Sequence, residues 1–159
     1  IVILLVAISL LYFILAAQFE SIIQPLIILS EIVVDIFFVL FGLWIFGESL
    51  NIMSMIGLVV MSGIIINDSI LKVDTINRLR KHGMPLLKAV FTGGHSRLKP
   101  IIMTSLTTIL AIAPFLNRVD MGSDLQYPLS LSIIIGMSVG TIVSLFFIPL
   151  IYYVIYRKH

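Results

Sequence analysis

Asn67 and Asp68 stand side by side in an otherwise apolar run, with Lys72 one helical turn beyond Asp68. Residues 51–66 before them carry no charge and are rich in Ile, Val, Met and Gly, a composition suited to crossing a bilayer. An ionised carboxylate in hydrocarbon is costly unless it is paired or wetted, so an acid placed there marks a functional position. The chemistry available to such a group is gain and loss of a proton, or capture of a cation. A plainer use also exists. Asp68 and Lys72 are spaced to form an ion pair on one helix face, with the Lys stem reaching toward the membrane edge. The amide at Asn67 favours function, because a simple anchor has no need of two adjacent polar groups at depth.

Four further residues belong to the same chemistry. Glu31 and Asp35 lie one turn apart within a second apolar run, and Arg97 and Thr104 lie two turns apart within a third, hence on one face. At 1.5 Å of rise per residue, Glu31, Asp68 and Thr104 fall roughly 8–11 Å from the same membrane face, with Asp35 deeper and Arg97 at the face itself. Carboxylates, an amide, a hydroxyl and a guanidinium at neighbouring depths are the parts of a proton or cation relay. Each also has a structural use. Glu31 and Asp35 can face a partner helix, Arg97 can be an ordinary anchor, and Thr104 can bond back to its own helix, as Thr107 and Thr108 can. His82, His95 and His159 have no metal-ligand spacing, and His95-Ser96 lacks a third member for nucleophilic catalysis. No metal, cofactor or enzymatic activity is expected.

The elements that must carry these residues are transmembrane helices. Of the 159 residues, 60% are apolar and 11% charged, and the mean hydropathy is +1.18. A soluble domain would hold about 25% charged residues. With about 20 residues per crossing, the chain is expected to be all-α and integral to the membrane. Five helices are placed at about 1–17, 25–46, 52–73, 97–117 and 128–156. The segment 74–96 reads as a loop in which residues 85–92 form a short interfacial helix, stopped by Gly93-Gly94. Gly57, Gly63, Gly136 and Gly140 suit close helix packing. Tyr152, Tyr153 and Tyr156 suit an aromatic belt ahead of the basic Arg157-Lys158. Nine of the ten Lys and Arg fall on one side of a five-span topology and only Arg118 on the other, which places that side and the C-terminus in the cytoplasm. The net charge of +2 gives no reason to expect nucleic acid as a partner, and the absence of Cys excludes disulfides. Opening on Ile1 inside an apolar run, the chain reads as a piece of a longer polypeptide.

Three stretches carry a family likeness. GIIINDSILKVDTINRLR (63–80), GHSRLKPIIMTSLTTILAIAPF (94–115) and GTIVSLFFIPLIYY (140–153) strongly resemble the resistance–nodulation–division efflux transporters. The RLKPIIMTSLTTIL run and the later FIPL are the specific parts. The resemblance covers essentially the whole chain, which matches the family's last five transmembrane helices. It implies export of drugs, detergents, bile salts or metal ions from the inner membrane of a Gram-negative bacterium, with the proton as coupling ion. It also implies the N-terminal half of the same transporter as partner, a homotrimer, a periplasmic adaptor and an outer-membrane channel. In the family's relay, an acidic pair in the fourth helix meets a Lys in the tenth and an Arg and Thr in the eleventh. The Arg matches Arg97 and the Thr matches Thr104. The Lys position falls on Asn67, so Asp68 or Lys72 is expected to take its task. Glu31 and Asp35 stand where the better-known pumps are apolar, which points to a subgroup with its own coupling. The competing reading is a structural membrane segment of a related translocation or lipid-trafficking protein without small-molecule export. An intramembrane enzyme ranks behind both.

Overall fold

The computed structural model describes residues 2–117 and 122–158. Arg118 and His159, both used above, lie outside the described residues. Five α-helices follow one another: α1 (Val2–Phe19), α2 (Ile23–Ile45), α3 (Ile52–Lys81), α4 (Leu86–Ile112) and α5 (Ser123–Tyr156). A single 3₁₀ turn, Ala113–Leu116, ends α4, and no strand occurs among the described residues. By length and composition, α2 to α5 can each cross a membrane, α4 together with its 3₁₀ turn; α1 is shorter but equally apolar. In hydrocarbon a helix is the one open segment that satisfies its own backbone, so an all-helical chain is the expected solution.

Local chemistry sets the connections. Both α2 and α3 stop in the paired hydrogen bonds that follow a left-handed residue. Gly47 and Gly83 adopt φ +72° and +84°. The N–H groups of Glu48 and Met84 then reach back to the Leu43 and Leu79 carbonyls. Asn51 starts α3 with a reciprocal cap, its side chain accepting from the Ser54 N–H while the Ser54 hydroxyl accepts from the Asn51 N–H.

The short interfacial helix is not a separate element. Residues 86–92 are helical but run straight on into α4, through Gly93-Gly94 and Pro100, while α3 continues eight residues past Val73 to Lys81. The reason lies in packing. A Cβ on Gly93 would stand 2.6 Å from Ile76 Cγ1, so this glycine serves close approach of α4 to α3 rather than termination. The result is a long antiparallel α3–α4 hairpin closed by residues 82–85.

α5 is the centre of the bundle and packs against α2, α3 and α4, whereas α1 rests chiefly on α2. Its buried stripe, Gly136, Gly140, Ser144, Ile148 and Tyr152, repeats every four residues along one face. Two apolar clusters fill the interior. One gathers Leu15, Ile27, Ile28, Val73, Ile76, Ala89, Val90, Ile148 and Tyr152. The other gathers Val39, Leu43, Met61, Ile65, Leu131, Ile133 and Met137. The glycines set the approach between them. Gly57 lies under α5 where a Cβ would meet the Leu129 carbonyl oxygen at 2.8 Å and Ser132 Cβ at 2.9 Å, while Gly136 abuts the Met61 thioether. Gly57→Ala should therefore lower stability by about 1–3 kcal/mol, because a backbone oxygen cannot move aside. Gly136→Ala should cost less, since the end of Met61 can swing. Thermal unfolding of the purified variants in detergent measures both, and a Gly57→Ala protein as stable as the parent would disprove the close approach.

Candidate functional site

Between the two apolar clusters lies a polar layer built by three helices. α2 supplies Glu31 and Asp35, 0% and 1% exposed. α3 supplies Ser69 and Lys72, both fully buried, and α5 supplies Ser144. The Ser69 hydroxyl donates to Glu31 Oε2. Ser69 and Ser144 share a hydroxyl–hydroxyl hydrogen bond of 3.2 Å. Lys72 Nζ donates to the Ser144 backbone oxygen and, at 2.9 Å, to Ser144 Oγ. Glu31 Oε1 and both Asp35 carboxylate oxygens are buried with no hydrogen-bond partner among the described residues. Asp35 Oδ2 lies against Gly140, 3.4 Å from where a Cβ would stand. A Cβ there would touch the carboxylate at ordinary contact distance but collide with Ile65 Cδ1.

The sequence-based pairing of Asp68 with Lys72 is not observed. Among the described residues, no carboxylate oxygen lies within 4 Å of Lys72 Nζ; the ion pair that α3 does form is Arg78–Asp74, 3.0 Å and exposed. Nor does Lys72 snorkel to the membrane edge. Its ammonium turns inward to α5, where Ser144 offers two oxygens in a dry interface. Asp68 is half-buried and accepts no hydrogen bond among the described residues, and Asn67 beside it is exposed.

Asn67, Asp68, Arg97 and Thr104 belong to a second surface. Arg97 Nε donates to Thr75 Oγ1 at 2.9 Å, tying α4 to α3. Asp68 lies two turns from Thr75 on α3, and Thr104 two turns from Arg97 on α4. Because the hairpin is antiparallel, both pairs of turns climb in the same direction. Asp68 and Thr104 thus come to one level, about 10 Å above the Arg97–Thr75 bond. Thr104 is exposed and bonds back to the Pro100 carbonyl at 3.0 Å, and Thr107 and Thr108 behave likewise with Met103 and Thr104. Ser105 instead turns inward to Thr141 of α5. The seven candidate residues therefore divide. Glu31, Asp35 and Lys72 sit inside the bundle, whereas Asn67, Asp68, Arg97 and Thr104 line an outward polar strip on α3 and α4.

Two features escaped the sequence. Ser69 and Ser144 complete the inner layer, and the signal available was the every-fourth-residue stripe Gly136, Gly140, Ser144, whose small residues mark a packing seam. The other is a polar knot where α2 begins and where α3 and α5 end. Gln24 and Asn77 exchange amide hydrogen bonds of 3.0 and 2.7 Å. Tyr152 donates to Asn77 Oδ1 at 2.6 Å, and Gln24 donates to the Tyr156 hydroxyl at 3.0 Å. Arg80 covers the Tyr156 ring 4.8 Å from its centroid. Tyr152, fully buried, is therefore part of the core and not of an aromatic belt.

Known proteins resemble this chain along nearly its whole length. A sequence model of the AcrB/AcrD/AcrF family matches residues 1–156. Multidrug resistance protein MdtC of Erwinia amylovora is 32% identical over 149 residues, 93% of this chain and 15% of that protein. Swarming motility protein SwrC of Bacillus subtilis is 29% identical over 157 residues, covering 97% of this chain and 15% of the relative. Among solved structures, a heavy metal efflux pump superposes with a TM-score of 0.88 at 29% identity, over 98% of this chain and 16% of the pump. The chain thus spans about a sixth of the length of the relatives it matches.

Proposed function

The chain belongs to the AcrB/AcrD/AcrF family, the resistance–nodulation–division transporters, and on that premise we propose that it is the transmembrane part of a proton-driven exporter. The observation that carries this reading is the outward strip. Asn67 and Thr104 are exposed in the middle of helices long enough to span a membrane, with Asp68 half-buried beside them. Polar groups at such depth belong against protein or a wet cavity, not against lipid. The strip therefore suits a face completed by the other half of the transporter, where Asp68 would take up and release the coupling proton with Asn67, Arg97 and Thr104 as the polar groups around it. Glu31, Asp35 and Lys72 act in the same relay from inside the bundle.

Substrates of the intact protein would be drugs, amphiphiles or metal ions, in keeping with its similarity to a multidrug resistance protein and a heavy metal efflux pump. The intact protein would be a homotrimer in the cytoplasmic membrane, joined to a periplasmic adaptor and an outer-membrane channel where a second membrane exists. The test uses vesicles containing the intact transporter, with the dye ethidium and zinc ions as probes. An imposed pH gradient should drive movement of at least one probe, and a protonophore should abolish it. Gradient-independent behaviour toward both would favour a scaffolding segment instead.

Orientation supplies a second check. With the bases of the α3–α4 hairpin in the cytoplasm, a cysteine at His82 or His95, both exposed, should react only with reagents that enter the cell. A cysteine at Ser123 should react from outside. Labelling of position 82 by an impermeant reagent would reverse the topology.

A further inference from the structure

We propose that Ser144 and Ser69 form a two-hydroxyl proton wire from Lys72 on α3 to Glu31 on α2. The wire deepens the proton-driven reading and rests on it. Its direction follows from counting protons. A serine hydroxyl has one proton to donate, and that of Ser69 is committed to Glu31 Oε2. In the 3.2 Å hydrogen bond between the serines, Ser144 must therefore be the donor. Lys72 Nζ in turn donates to Ser144 Oγ at 2.9 Å. Every link points the same way, from the ammonium to the carboxylate.

The step balances. Lys72 passes one N–H proton to Ser144 Oγ as the Ser144 hydroxyl proton moves to Ser69 Oγ and the Ser69 hydroxyl proton moves to Glu31 Oε2. Three N–H or O–H bonds break and three form. The ammonium becomes an amine, the carboxylate becomes a carboxylic acid, and both serines end as hydroxyls. A separated pair of charges is replaced by two neutral groups, and the net charge of the layer is unchanged.

The surroundings suit this use better than a static tether. Apolar clusters lie on both sides of the layer, so water does not short-circuit the hydroxyls. Among the described residues Lys72 approaches no carboxylate within 4 Å, which leaves the serines as its connection to Glu31. Glu31 Oε1 and both oxygens of Asp35, one turn along the same face, are buried without partners among the described residues and stand free to accept beyond the wire's end. The charged groups near the layer are Glu31 and Asp35 of α2 and Asp68 and Lys72 of α3, with Ser144 as the polar contribution of α5.

The experiment is a pH-jump followed by time-resolved infrared spectroscopy of the intact transporter in lipid. The Glu31 carboxylic acid band is assigned by its loss in Glu31→Gln. Glu31 should gain its proton after the jump, and Ser69→Ala and Ser144→Ala should each slow that gain by about tenfold or more. Ser69→Thr keeps the hydroxyl and should restore the rate to within about threefold, which separates proton transfer from a packing defect. Parental rates in both alanine variants, or an unchanged Glu31 band in the parent, would overturn the wire. Proton loading is read here without substrate. Failure of the export reading would appear separately, as absent gradient-driven efflux from a transporter whose Glu31 still loads.

Discussion

Asp68→Asn should reduce export by the intact transporter about 100-fold, the scale of losing a positioned proton-transfer group, while leaving expression and assembly near normal. The side chain keeps its size. No hydrogen bond to Asp68 is lost, because it accepts none among the described residues, and its half-buried position leaves room for an amide. What disappears is titration at the level of Thr104, on a strip where neighbouring Asn67 cannot titrate. Drug or metal susceptibility of cells producing the variant reads the effect, with membrane abundance as control. Wild-type resistance would sink the assignment and shift the coupling to Glu31 and Asp35 inside the bundle.

Lys72→Met should act in the opposite way, through stability. The sequence suggested a residue near the membrane edge, spaced to pair with Asp68. The structure instead seats Lys72 at 0% exposure with its ammonium on Ser144. Methionine fills the space but removes hydrogen bonds from a charged donor, each worth about 1.5–3 kcal/mol, and leaves Glu31 without its nearest cation in a dry layer. A loss of about 3 kcal/mol is expected in denaturant unfolding of the purified protein. Adding Glu31→Gln should recover part of it, because the amide needs no counter-charge. If the double variant is instead as unstable as the sum of the two single ones, Lys72 and Glu31 are not coupled.

These two residues show what the chain disclosed by itself. Depth was legible, because helical rise is constant: Glu31 does meet α3 beside Asp68, at Ser69, and Thr104 does come level with Asp68. Azimuth was not. Asp68 and Ser69 are adjacent in sequence yet about 100° apart around the helix, so one faces outward and the other faces α2 and α5. Which face is inner depends on how α5 threads the bundle, and no periodicity within α3 states that. Lys72 was misplaced for the same reason. Its distance from the helix end allowed snorkelling, but the pull inward came from Ser144, more than seventy residues away in the chain. Tyr152 repeats the lesson, since a tyrosine near a membrane edge reads as a belt residue until Asn77 is found under its hydroxyl. Gly93-Gly94 misled through glycine's two uses, ending helices and letting them touch. Only the position of Ile76 decides between them.

The length of the α3–α4 hairpin has a mechanical consequence. α3 has 30 residues, about 45 Å of rod, against a hydrocarbon slab about 30 Å thick. Its last turn, residues 78–81, lies beyond the Gln24–Asn77 knot, which clamps α3 to its neighbours near one membrane face. A stiff rod pinned there is a see-saw. Movement of Asp68 toward or away from a partner, about 13 Å along α3 from the knot, would swing the Lys81–His82 tip the opposite way through an arm about half as long. Proton arrival deep in the bilayer would then be legible as displacement of a surface loop, where a fluorophore can watch it without touching the machinery.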